Sequence, residues 1–307
     1  MINNKSILIA GGGGFVGDAL KNFLSKNGYD VRLLTRKSDG KGIYWNPETR
    51  TLNPKDLEPF KYIICLSGEN IFGYWNKSKK RKILESRTQS ASLLSDAISK
   101  LPSPGDRVFL CASAVGYYGD NAAGDVDEES KCGNGFLAEV CREWENSTSS
   151  AKCAGARVVN MRFGLVFDFS GGALGKQIHV AKYGVSVMLG GGKRRISWIS
   201  LEDLCRACEF AIENGALSGA VNFTSPDTTD NFSLTHAISR ACGSFISIRI
   251  PEFILKIFGG EFAKEVLLSD VSAKPVRLLE SGFAFKYDNI SKIFGEYSGK
   301  GKIDKKF

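Results

Sequence analysis

Ser6-Ile7-Leu8-Ile9-Ala10-Gly11-Gly12-Gly13-Gly14-Phe15-Val16-Gly17 decides the fold. The short apolar run stopped by glycines reads as a buried strand. Beyond the glycines, Val16, Ala19, Leu20, Phe23 and Leu24 recur at helical spacing, and Asn27-Gly28 ends that helix. Gly11, Gly14 and Gly17 keep a G-x-x-G-x-x-G spacing between strand and helix, the context such a loop requires. The chemistry that needs it is a diphosphate lying on backbone N–H groups at a helix start. There the helix dipole favours an anion, and a Cβ would hold the phosphate away. Gly17 lets the helix pack closely on the strand. Gly11, Gly12, Gly13, Gly14, Phe15, Val16 and Gly17 are therefore the expected cradle of a dinucleotide.

The second strand, residues 30–35, ends in Leu33-Leu34-Thr35-Arg36-Lys37. An NAD site places Asp or Glu at this point for the ribose 2′-hydroxyl. Here no carboxylate stands, and two cations do. Arg36 can fork onto a 2′-phosphate and Thr35 can donate its hydroxyl, so the expected cofactor is NADP(H).

Outward from there, strand and helix alternate. Apolar runs at 62–66, 107–112 and 157–161 read as strands, and 80–100 and 136–154 as helices. A Pro- and Asn-rich section at 44–59 reads as a hairpin or loop. The alternation implies an α/β fold: a Rossmann doubly wound parallel sheet with right-handed crossovers. After Arg162 the pattern breaks at Gly171-Gly172, Gly184 and Gly190-Gly191-Gly192, with helical stretches at 201–213 and 232–242 and two short helices after Pro251. The expected organisation is a nucleotide-binding domain over 1–165, to which 196–223 returns. A smaller C-terminal α+β substrate lobe covers 166–195 and 224–296, above the carboxyl ends of the strands. A basic tail occupies 297–307.

The chain has 307 residues, of which 43% are apolar and 24% charged, enough to bury a sizeable core. No stretch approaches the roughly 20 apolar residues of a membrane helix. The first apolar run is also too short for a signal-peptide core, so a cytoplasmic protein is expected. Several of the eight cysteines, Cys65 and Cys111 among them, sit in apolar runs as small thiols of a reducing compartment. Cys205-Arg206-Ala207-Cys208 lies in a helical pattern. With His179 and His236 the only histidines, no zinc set is expected. The net charge of +8 is local. It collects in Lys77, Lys79, Lys80, Arg81 and Lys82, and in Lys300, Lys302, Lys305 and Lys306, which read as a solvated helix start and a tail. The expected partner is a small-molecule substrate, not nucleic acid or a membrane, and a homodimer is left open.

Further stretches carry a family resemblance. They are Leu66-Ser67-Gly68-Glu69-Asn70-Ile71, Trp75 with Ser86-Arg87, Ala112-Ser113-Ala114-Val115-Gly116-Tyr117-Tyr118-Gly119-Asp120 and Phe136-Leu137-Ala138-Glu139-Val140-Cys141. Arg162-Phe163-Gly164-Leu165-Val166, Gly171-Gly172-Ala173-Leu174, Ser197-Trp198-Ile199-Ser200-Leu201-Glu202-Asp203-Leu204 and Lys274-Pro275-Val276-Arg277-Leu278-Leu279-Glu280-Ser281-Gly282-Phe283 follow. With the glycine loop, they resemble the extended short-chain dehydrogenase/reductases of the NAD(P)-dependent epimerase/dehydratase superfamily. More closely, they resemble its atypical NADP-binding "epimerase family" proteins with a C-terminal domain of unknown function. The likeness runs to about residue 296.

The resemblance implies an NADP-dependent oxidoreductase or epimerase. It places Leu66 and Ser67 beside the adenosine and Leu165 near the nicotinamide. It makes Arg87 either a second cation toward phosphate or a helix-surface arginine. Ser113 matches the catalytic serine of that family. The Tyr-x-x-x-Lys pair falls on Phe136 and Val140, which have neither hydroxyl nor charge, so the usual proton relay cannot be carried over. Tyr117 and Tyr118 lie just past Ser113. Ser113 and Tyr117 are the expected catalytic residues, with a backbone-bonding hydroxyl and ring packing as their alternatives. Glu139 is either a substitute acid or a solvated helix residue. Trp198 and Asp203 are expected at the lobe junction. Lys193, Arg194 and Arg195 either reach an anionic substrate or form a solvated loop. A non-catalytic NADPH-binding regulatory or interaction protein is the second reading.

Overall fold

The N-terminal apolar run forms the middle of a sheet. A computed structural model describes residues 3–37, 40, 42–120 and 124–299. In it β1 (Asn3–Ala10), β2 (Asp30–Thr35), β3 (Ile43–Tyr44), β4 (Phe60–Cys65), β5 (Val108–Ala114), β6 (Arg157–Phe163) and β7 (Gly219–Phe223) are all parallel. Their order is β7-β6-β5-β4-β1-β2-β3, so the chain reverses direction between β1 and β4. Ligands of such sheets bind outside the carboxyl ends at that reversal.

Side-chain alternation along β1 explains why its run is apolar throughout. Ile7 and Ile9 join a core with Leu20, Leu24 and Leu204, while Leu8 and Ala10 join another with Leu94, Ile98 and Phe109. A sheet covered on both faces has no wet side. Burying a leucine such as Leu20 or Leu94 contributes about 1.5–3 kcal/mol each.

Helix α1 (Phe15–Lys26) has the expected bounds. Helix α2 (Lys77–Ser99) starts three residues before the expected 80, because the Asn76 side chain accepts from the Lys79 N–H at 2.8 Å and caps it. The single helix expected over 136–154 is two, α3 (Phe136–Asn146) and α4 (Ser149–Cys153). Between them the Ser147 and Thr148 hydroxyls donate to the carbonyls of Glu143 and Glu145, both at 2.7 Å, which breaks the run.

Past β6 the strand Leu165–Phe167 pairs in parallel with Trp198–Ser200, and the helix Leu201–Glu213 returns to pack beside α1. The smaller lobe holds the helices Gly172–Ala181, Asn231–Cys242 and Glu252–Phe262, with Val185–Leu189 paired to Ile246–Ile250. Trp198 is fully buried and stacks on Phe167 with centroids 5.1 Å apart. Asp203, also fully buried, accepts from the backbone N–H of Lys286 at 2.9 Å and of Tyr287 at 2.8 Å, and from Arg206 at 2.6 Å. It thereby ties the C-terminal segment to the helix Leu201–Glu213. The helix Ile290–Gly299 runs through residues 297–299, the first of the expected tail. Residues 300–307 lie outside the described residues. Among the described residues no helix is long and apolar enough to cross a membrane.

Candidate nucleotide and active site

The glycine loop shows why each position lacks a side chain. Gly11 has φ +83°, and a Cβ there would sit 2.8 Å from the Leu66 carbonyl carbon and 2.9 Å from the Ser67 nitrogen. The loop after β1 is thus pressed on the end of β4, bringing Gly11, Leu66 and Ser67 together. A Cβ on Gly12 would strike the Leu33 side chain at 2.4 Å. Gly13 differs, because nothing lies within 4 Å of its missing Cβ and it is exposed with Gly14. Gly14 is the N-cap of helix α1 and supplies no capping side chain. Asn76, Ser200 and Asp230 cap their helices. An uncapped helix start behind an open glycine fits a diphosphate. Phe15 is 39% exposed and its ring lies against Gly171 and Gly172, so the cradle meets the smaller lobe at this residue. Val16 packs on the core.

At the end of β2 the Thr35 hydroxyl oxygen accepts from the Lys37 N–H at 3.0 Å, which leaves its proton to donate. Arg36 is exposed, and its guanidinium has no hydrogen-bond or ion-pair partner among the described residues. Arg87 is not a helix-surface arginine. Its Nη1 donates to the carbonyls of Ile83 at 2.9 Å and Glu69 at 3.1 Å, and its guanidinium lies over the Trp144 ring at 5.1 Å. Burial lowers its pKa below the ordinary arginine value. A Cβ on Gly68 would meet the same guanidinium at 3.1 Å, so Arg87 shapes the loop that follows Ser67. Leu165 is 36% exposed just past β6, at the start of the strand Leu165–Phe167, its N–H held by the Ser197 carbonyl at 2.8 Å.

Ser113 is 2% exposed, and its hydroxyl donates to Glu145 Oε1 at 2.7 Å. Glu145, near the end of α3, also accepts from Arg162 in a bidentate pair of 2.8 and 2.9 Å. Arg162 Nη1 donates to the Tyr118 oxygen at 3.0 Å, and Tyr118 donates to Asn222 Oδ1 at 2.7 Å. Four strands and helices are thus joined by one buried polar chain. Burial alone would lower the Arg162 pKa, but the Glu145 carboxylate more than reverses this and keeps it charged. Burial pushes the Tyr118 phenol up to about 12, and its oxygen is engaged by both Arg162 and Asn222. Tyr117 is half-buried. Its ring lies 3.5 Å from the Arg162 guanidinium, and its hydroxyl has no partner among the described residues. Beside Ser113, burial pushes the Cys141 thiol up to about 12, away from thiolate.

The position of the missing tyrosine is filled by packing. The Phe136 ring lies 5.3 Å from Trp75, and Val140 is 2% exposed in the same cluster with Ile83 and Phe262. Glu139 is exposed on α3, a solvated helix residue. The start of α3 is capped from the other lobe: Glu265 accepts from the N–H groups of Phe136 at 2.9 Å and Leu137 at 2.7 Å. A carboxylate at that helix end is favoured by the dipole. Glu265→Ala is expected to cost about 1 kcal/mol and to speed amide exchange at Phe136 and Leu137. Unchanged exchange at both amides would remove Glu265 from the junction.

The basic triplet is mostly committed. Arg194 pairs with Glu252 at 3.3 Å and Arg195 with Asp270 at 2.6 Å, while Lys193 is exposed. Cys205 and Cys208 are buried in the main core, with the Cys208 sulfur 3.7 Å from that of Met161. Glu145, Arg162, Asn222 and Glu265 are the site residues that spacing alone had not singled out for a role.

Residues 7–223 match the model of the NAD dependent epimerase/dehydratase family, and residues 250–295 that of a domain of unknown function, DUF1731. The chain is 36% identical over 295 residues to an epimerase family protein, Mb2239, of Mycobacterium bovis, covering 95% of this chain and 97% of that one. It is 27% identical over 296 residues to the human epimerase family protein SDR39U1, covering 94% and 98%. The crystal structure of human SDR39U1 (isoform 2) with NADPH has the same fold, with a TM-score of 0.83 at 24% identity over 96% of this chain and 100% of that one.

Proposed function

This chain belongs to the NAD dependent epimerase/dehydratase family, and from that premise we propose that it binds NADP(H) and serves as an oxidoreductase or epimerase on a small-molecule substrate. The observation that carries the proposal is the pairing of an uncapped α1 start behind open Gly13 with an exposed Arg36 at the end of β2 that has no partner among the described residues. The NADPH in the human relative's structure supports the choice of nucleotide. The backbone of Gly11 to Gly17 holds the diphosphate, Arg36 and Thr35 hold the 2′-phosphate, Leu66 and Ser67 border the adenosine, and Leu165 borders the nicotinamide. When bound, the nicotinamide supplies or accepts a hydride. Tyr117 then holds a proton at its phenol oxygen, which has no partner among the described residues. Ser113 and Glu145 act behind it as positioning residues, fixing the Arg162 guanidinium on which the Tyr117 ring rests.

Arg36→Ala is expected to weaken NADPH binding by about tenfold or more, the loss of a charge-assisted hydrogen bond, and to leave NADH binding nearly unchanged in calorimetric titrations. Equal losses for the two nucleotides would refute the assignment. For catalysis, NADPH absorbance is followed with a panel of carbonyl compounds. Tyr117→Phe should lower turnover by roughly a hundredfold, the effect of removing a general acid, at unchanged NADPH affinity. The second reading, a non-catalytic NADPH-binding protein, is favoured by the ring cluster that fills the usual acid's place at Phe136 and Val140. Tight NADPH binding with no turnover on any compound would select it.

A further inference from the structure

The smaller lobe carries a strand with one bare edge. Ile246–Ile250 pairs with Val185–Leu189 and with no other strand among the described residues. The Ile246 N–H donates to the Gly184 carbonyl at 3.0 Å, and the Ile250 carbonyl accepts from the Gly190 N–H at 2.9 Å. In a parallel ladder, alternate residues bond the same neighbour. Ile246, Ile248 and Ile250 therefore turn their backbone groups inward, and Ser247 and Arg249 turn theirs out. The strand is also uncovered on its faces: Ile246 is 46% exposed, Ile248 48% and the preceding Phe245 82%. Natural proteins blunt such edges with proline, bulges or projecting charge. Here the first proline is Pro251, past the end of the strand. The single charge, Arg249, is drawn back onto the Gly190 carbonyl at 2.9 Å.

We propose that this edge is a homodimer interface, in which Ile246–Ile250 pairs antiparallel with the same strand of a second copy about a two-fold axis at Ile248. The backbone groups at the edge fix the kind of occupant, because bare N–H and C=O groups are satisfied by a strand and not by an apolar surface. The sequence fixes which strand. Ile-Ser-Ile-Arg-Ile alternates apolar and polar symmetrically about its middle residue, so one copy matches another without any other sequence, as an isologous contact requires. Ser247 of one copy then faces Arg249 of the other, and the two exchange both backbone hydrogen bonds. Ile248 meets its own counterpart at the close, non-bonded position, about 4.5 Å between Cα atoms. The isoleucines of both copies line one continuous apolar face, and the two small sheets become one. This contact lies in the smaller lobe and is independent of the nucleotide reading.

The test is analytical ultracentrifugation of the full chain over a roughly hundredfold concentration range. The wild-type chain should sediment as a dimer. Ile248→Lys and Ile248→Glu should each sediment as monomers, because each places like charges against one another on the axis. Mixing the two variants should restore a dimer, now of unlike chains. Ser247→Pro removes an N–H that the ladder turns outward and that has no partner among the described residues, and should weaken the dimer at least tenfold with the circular dichroism spectrum unchanged. A monomeric wild-type chain, a dimer that survives either charged variant alone, or a mixture that stays monomeric would each overturn the proposal. Loss of the spectrum in a charged variant would leave the decision to Ser247→Pro, where an undiminished dimer overturns it.

Discussion

Gly17→Ala is expected to weaken nucleotide binding sharply and to destabilise the fold at once. A Cβ at residue 17 would lie 2.2 Å from the Gly11 carbonyl oxygen and 2.8 Å from the Gly12 Cα. Both are backbone atoms, so no rotamer relieves the overlap, and α1 must move off the end of β1. Overpacking of this kind costs about 1–3 kcal/mol. The displaced helix start also carries its N–H groups away from the diphosphate, so NADPH affinity should fall by on the order of a hundredfold or more. Gly13→Ala separates the two effects. Nothing lies within 4 Å of that Cβ, so the melting temperature should hold to within the roughly 0.5 kcal/mol of an ordinary surface change. The added methyl nevertheless stands where the phosphate would approach. Paired thermal melts and NADPH titrations read both variants. A Gly13→Ala chain that binds NADPH like the wild type would move the diphosphate to another place, and a Gly17→Ala chain of unaltered melting temperature would show that the loop yields.

The second large effect falls on Glu145. Its side chain is 13% exposed and that of its partner Arg162 is 4% exposed. Glu145→Ala leaves the guanidinium charged, buried and without its bidentate acceptor, and it also leaves the Ser113 hydroxyl without an acceptor. Removing one member of a buried ion pair costs about 3–5 kcal/mol, a fall in melting temperature on the order of 10 °C. Replacing both members, as Glu145→Leu with Arg162→Met, removes the uncompensated charge and should recover most of the loss. A double variant no more stable than Glu145→Ala would mean that the network is held by its hydroxyls and amide rather than by the ion pair. Because the Tyr117 ring rests on Arg162, the stable double variant should keep NADPH binding and lose turnover if the phenol needs that cation beneath it.

Reading order along the chain explains what could be foreseen. The glycine loop, the Thr35-Arg36 end of β2 and the alternation of strands and helices are local signals. Each rests on spacing within a dozen residues, and each sits in the fold where that spacing puts it. Helix ends were less legible, because they depend on single side chains: Asn76 began α2 early, and Ser147 with Thr148 cut α3 short. Arg162 follows directly on the expected strand at 157–161, but nothing near it in sequence announced its acceptor.

The sequence by itself determined a parallel nucleotide-binding sheet, its glycine cradle, a cation in place of the ribose-binding acid, and the loss of the tyrosine-lysine pair. Only the tertiary structure decided what replaced that pair. It set Phe136 against Trp75, capped α3 with Glu265 from the other lobe, and closed Ser113, Glu145, Arg162, Tyr118 and Asn222 into one chain of hydrogen bonds. The physical reason is range. Backbone preference and hydrophobic period act between neighbours, whereas a buried charge finds its partner only after β5, α3, β6 and β7 have been brought side by side.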